Sequence, residues 1–137
     1  MNILATSGGF RPDRRTWLAV GPIIEFAFEL AGKPERPKFC YVGTALGDNP
    51  LFANATQDAF IGRDVVVSNL AAFPMPSVAD VRAHLLAQDV VWVGGGSVAG
   101  LLAIWRLHGW DEIFREVWEA GVVLGGQDHT LHVGVSV

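Results

Sequence analysis

At 137 residues, half of them hydrophobic and 18% charged, the chain has the profile of one well-buried globular domain. A net charge of −4 and a pI near 5.4 argue against nucleic acid or an anionic membrane as the main partner. The single cysteine, Cys40, has no internal partner, and the sequence carries neither a secretory leader nor an apolar span of about 18 residues, so a soluble protein of the cytoplasm is expected.

In chain order, Asn2 to Thr6 reads as a buried strand ending at Ser7-Gly8-Gly9. Arg11, Pro12, Asp13, Arg14 and Arg15 read as a polar loop, whose arginines either guide an acidic ligand or form a solvated face. Gly21-Pro22 marks a helix start, since proline is tolerated at the first helical position, and Gly32 closes that helix. Lys38 to Thr44 is a second strand, and Asn49-Pro50 opens a helix reaching Ile61, with Gly62 as its cap. Asp64 to Leu70, with three consecutive valines, is a third strand. Phe73-Pro-Met-Pro76 is a turn, and Ser77 has the chemistry of an N-cap for a helix running to Ala87.

The fourth strand, Asp89 to Val93, runs straight into Gly94-Gly95-Gly96-Ser97 and a helix over Val98 to Leu107. Trp110 to Ala120 is a further helix, with Asp111 and Glu112 in the first turn where negative charge suits the dipole. Gly121 ends it, and Val122 to Gly126 reads as a fifth strand. Short apolar strands alternating with helices indicate an α/β fold, a three-layer, doubly wound and mostly parallel sheet in one domain over residues 1–137.

Several groups could carry chemistry. A strand feeding a glycine turn into a helix N-terminus aims backbone N–H groups at an anion or a developing oxyanion, which singles out Gly95, Gly96 and Ser97. The same turn also reads as plain strand-to-helix geometry with Ser97 as N-cap. It formally satisfies the dinucleotide pattern G-x-G-x-x-A, but it follows the fourth strand, and no acidic residue ends a strand about 20 residues later. Gly8 and Gly9 form a second glycine loop at the same sheet edge, and Thr44 and Asp48 are expected to face the crevice between the two loops. Trp110, Phe114 and Trp118 recur at helical spacing and read as core, as does Cys40. His84 and His108 read as bystanders, whereas Asp128, His129 and His132 make only a thin shell for a metal, so no metal or cofactor is expected.

Over about residues 1–126 the chain resembles the peptidase E (aspartyl dipeptidase) family, relatives of cyanophycinase with a class I glutamine amidotransferase-like, flavodoxin-like fold. The residues that carry the resemblance are Ile3-Leu-Ala-Thr-Ser-Gly-Gly-Phe10, Gly21-Pro-Ile-Ile-Glu-Phe-Ala-Phe28 and the block from Leu85 to Gly126. The resemblance implies serine-type hydrolysis of short peptides with an N-terminal aspartate. A serine on a nucleophile elbow attacks, a later histidine acts as base, and the turn at Gly94 to Gly96 supplies an oxyanion-hole N–H. Gly8, Gly9 and Ser97 would then contact a small peptide or acidic ligand.

The resemblance stops after Gly126, where the family continues into Gly-x-Ser-Ala-Gly and this chain reads Gln127-Asp128-His129-Thr130. Asp128 occupies the nucleophile slot and is not expected to replace serine. Residues 127–137 therefore read as a divergent tail on a C-terminally incomplete fold, as a frameshifted, truncated or mis-annotated reading frame would produce. The expectation is a peptidase scaffold without activity or with badly impaired activity; the alternative is a non-catalytic module binding small molecules or anions through its glycine loops. Val133-Gly-Val-Ser-Val137 is short, β-branched and uncharged, and predicts pairing with another copy as a homodimer or larger assembly.

Overall fold

The structure is a computed structural model that describes residues 1–6, 8–32 and 34–127. Among the described residues, seven strands and five α-helices follow in order: β1 (Ile3–Thr6), β2 (Phe10–Asp13), β3 (Trp17–Val20), α1 (Pro22–Leu30), β4 (Lys38–Val42), α2 (Pro50–Ala59), β5 (Val66–Leu70), α3 (Val81–Leu86), β6 (Val90–Val93), α4 (Val98–His108), α5 (Trp110–Glu119) and β7 (Val123–Gln127). A five-stranded parallel sheet has the order β1-β7-β6-β4-β5, and β2 and β3 form a separate antiparallel hairpin. This is the expected α/β class.

The period-2 geometry of the strands sorts the core into two layers. Cys40, Val42, Val91, Val93 and Leu124 face one way, onto Leu101, Trp105, Trp110, Phe114 and Val117 of α4 and α5. Phe39, Tyr41, Val90, Trp92 and Val123 face the other way, onto Ile24, Ala27 and Phe28 of α1 and Phe60 beyond α2. Trp110 and Phe114 are core as expected, and Trp118 packs half-buried against the same cluster. Cys40 is fully buried, and burial pushes its thiol up to about 11, as befits an inert core residue.

Two local expectations need correction. The stretch Arg11 to Arg15 is not a loop but the end of β2 and a tight turn into β3. Asp13 makes that turn: its Oδ1 accepts from the N–H groups of Arg15 and Thr16 at 2.8 and 3.0 Å. Those two bonds, Thr16 first, hold its carboxyl below the usual carboxylate range.

Ser77 is likewise not the cap of α3. Asp80 is, accepting from the Ala83 N–H at 3.0 Å. The Ser77 hydroxyl accepts instead from the Ala71 N–H at 2.9 Å and so closes the loop after β5.

Candidate functional site

The carboxyl ends of β1, β4, β6 and β7 gather at one edge of the sheet, where open α/β folds place their ligands. A crevice of about 530 Å³ lies there, the size of a small-molecule site. Thr6, Gly8 and Gly9 bound it on one side and Gly94, Gly95 and Gly96 on another, with Gly126 at the end of β7. The two glycine loops singled out in the sequence thus share one cavity. Phe10 and Leu18 of the hairpin, Leu46, Phe52 of α2, Tyr41 and Trp92 supply apolar walls. No described residue lining it carries a charge.

Most of these glycines serve close packing rather than a ligand. A methyl on Gly9 would lie 2.1 Å from the Trp92 ring, and one on Gly125 would lie 2.4 Å from the same ring. Trp92 is therefore slotted between β1's loop and β7. Gly94 yields to the Tyr41 hydroxyl, 2.6 Å from where a Cβ would stand. Gly96 combines a φ of +144° with a Cβ position 2.3 Å from the Ala45 carbonyl oxygen, so only glycine fits it.

The turn after β6 is pinned at both ends. The Gly94 N–H donates to Val42 O at 2.9 Å and the Ser97 N–H donates to Ala45 O at 2.7 Å. Among the described residues the N–H groups of Gly95 and Gly96 have no such partner, and they are the two the turn can offer to a ligand. The Ser97 hydroxyl accepts from the Gly100 N–H at 3.0 Å, so this side chain caps α4.

Thr44 and Asp48 do not line the crevice. Thr44 is buried, with its hydroxyl accepting from the indole N–H of Trp105 at 3.0 Å. Asp48 turns its Oδ2 toward the loop after β5, accepting from the N–H groups of Ala72 and Phe73 at 2.8 and 3.1 Å.

Arg11 stands next door, lining a smaller recess of about 400 Å³ with Gly8, Gly9 and the start of α1, while Arg14 and Arg15 are exposed in the hairpin turn. His84 is half-buried on α3 with its Nε2 at 3.1 Å from the Ser68 hydroxyl, and burial lowers its pKa. His108 lies against Trp110, ring centroids 5.4 Å apart. Asp128, His129, His132 and Ser7 lie outside the described residues.

Sequence reasoning missed Tyr41, Phe52 and Trp92 as walls of the site. For Tyr41 and Trp92 the signal was indirect: large aromatics on adjacent strands need glycines opposite, and glycines follow β1, β4 and β6 and lie within β7.

The chain is similar to known proteins in sequence and in fold. The model of peptidase family S51 matches residues 3–127. An uncharacterised peptidase of Bacillus subtilis strain 168, YgaJ, is 39% identical over 94 residues, which cover 69% of this chain and 40% of that protein. A crystal structure of a protein assigned as a peptidase E from Listeria monocytogenes EGD-e superposes with a TM-score of 0.60 at 19% identity, covering 78% of this chain and 54% of that one. The chain thus spans about half or less of the length of the relatives it matches. No helix among the described residues is long and apolar enough to cross a membrane. With the family model matching residues 3–127, the chain belongs to peptidase family S51, the peptidase E family.

Proposed function

We propose that this chain is a peptide-binding peptidase E scaffold that holds a short peptide in the crevice and hydrolyses it poorly or not at all. The observation that carries the binding half is the convergence of the Gly8-Gly9 loop, the Gly94–Gly96 turn and Gly126 on one apolar cavity. Gly126 matters most, because the family resemblance puts the step into the nucleophile elbow directly after it. The backbone N–H groups of Gly95 and Gly96 then suit a peptide carbonyl oxygen, and the aromatic walls suit side-chain hydrocarbon.

The impaired half rests on sequence. Asp128 stands in the nucleophile's slot, and a carboxylate cannot be substituted for an activated serine hydroxyl without loss. Single losses within a serine triad cost on the order of 10⁴- to 10⁶-fold in kcat. A hydrolysis assay with Asp-X dipeptides tests this: no turnover above background is expected, and turnover at ordinary enzyme rates would overturn it.

A second reading, a module for acidic small molecules, draws on Arg11 beside Gly8 and Gly9. Thermal-shift measurements separate the two readings, because a true ligand raises the melting temperature by mass action. Dipeptides should stabilise the protein more than free aspartate does.

A further inference from the structure

Tyr41 sits in β4, the strand that contacts both β5 and β6, and its ring walls the crevice. The residue is 6% exposed, and its hydroxyl lies against the backbone of Gly94, at the start of the turn that offers the Gly95 and Gly96 N–H groups. Among the described residues no donor or acceptor engages that hydroxyl. The hydroxyl is not one of the buried side-chain atoms left without a partner, which are Asp48 Oδ1 and Trp118 Nε1, and Tyr41 lines the crevice. The hydrogen-bonding capacity of Tyr41 is therefore left for whatever fills the cavity.

We propose that Tyr41 is a positioning residue, donating its hydroxyl proton to a carbonyl or carboxylate oxygen of a ligand lying against the Gly94–Gly96 turn. The proposal rests on the peptide-binding reading above and adds the group that fixes the ligand's orientation. Burial first, then the charge of Asp48, pushes this phenol up to about 12, so the group stays a donor at neutral pH. Its role follows from the walls around it. Phe10, Leu18, Phe52 and Trp92 can hold hydrocarbon in any rotation, and only directional donors select one. With Gly95 and Gly96 on the turn and Tyr41 beside it, an acceptor oxygen has donors on two sides.

The chain contains one tyrosine, so a tyrosine label carrying ¹³C at the ring carbon bonded to oxygen gives a single resonance. On titration with Asp-Leu, that resonance should move and saturate together with the amide signals of Gly95 and Gly96. Tyr41→Phe, which removes only the hydroxyl, should weaken binding roughly 5- to 30-fold at an unchanged melting temperature. Binding that shifts the glycine amides while the tyrosine resonance and the Tyr41→Phe affinity stay put would overturn this inference and leave the peptide-binding reading intact. Absence of any binding would overturn both.

Discussion

The two faces of the sheet use aromatic residues to opposite ends. On the face covered by α4 and α5, Trp105 stacks on Phe114 with centroids 4.0 Å apart, and its indole N–H is bonded to Thr44. On the face covered by α1, α2 and the hairpin, Trp92 and Tyr41 press into glycine backbone and leave an open crevice beyond them. One face is closed by side chain on side chain. The other reaches backbone, and backbone N–H groups come within reach of a ligand there. Peptide recognition, in this account, belongs to the second face, and the first supplies rigidity.

The largest effect that would separate the faces comes from Trp105→Ala. Emptying so large a buried site costs about 3–5 kcal/mol. The loss should appear as a lower urea midpoint, with peptide affinity retained wherever the variant is still folded. A selective loss of affinity at unchanged stability would break the division between faces.

A smaller effect tests the turn itself. Ser97→Ala removes the cap of α4 and should cost about 1 kcal/mol by urea unfolding. If it instead weakens peptide binding at constant stability, the hydroxyl faces the ligand rather than the helix.

The smallest effect lies back on the closed face. Burial holds His84 below its ordinary value of 6.5, so the folded protein prefers the neutral imidazole more than the unfolded chain does. That contribution is complete above the ordinary value and is lost as pH falls through the folded one. The stability advantage of the parent protein over His84→Gln should shrink between about pH 7 and pH 5. An advantage that grows on acidification would mean the imidazole gains a charged partner instead.

Much of this was legible in the sequence, and the failures have physical causes. Every strand of the main sheet and all five helices were marked by apolar runs and by caps such as Asn49-Pro50 and Gly21-Pro22. The hairpin was not, because Phe10-Arg-Pro-Asp13 is too short and too exposed to alternate, and Asp13's turn bonds act only once the chain has folded back. Ser77 and Asp80 are both good capping residues; the choice fell to Asp80 because Ser77 was already engaged by Ala71.

The site was half legible. Both glycine loops border one crevice, since loop position follows from strand order. Their packing role was hidden, because Trp92 and Tyr41 reach glycines on other strands and in sequence look like any buried aromatic. Thr44 and Asp48 were misjudged for a similar reason: partners far along the chain, Trp105 and the loop at Ala72 and Phe73, claim their side chains.

The central claim is that the crevice binds a peptide without cleaving it, and one titration followed by amide NMR reads both halves. With Asp-Leu added to the intact chain, the account predicts shifts confined to Gly8, Gly9, Gly95, Gly96 and the walls around them, with the dipeptide unchanged at the end. Shifts centred on α4 and α5, or free aspartate and leucine accumulating at an enzyme's rate, would contradict it.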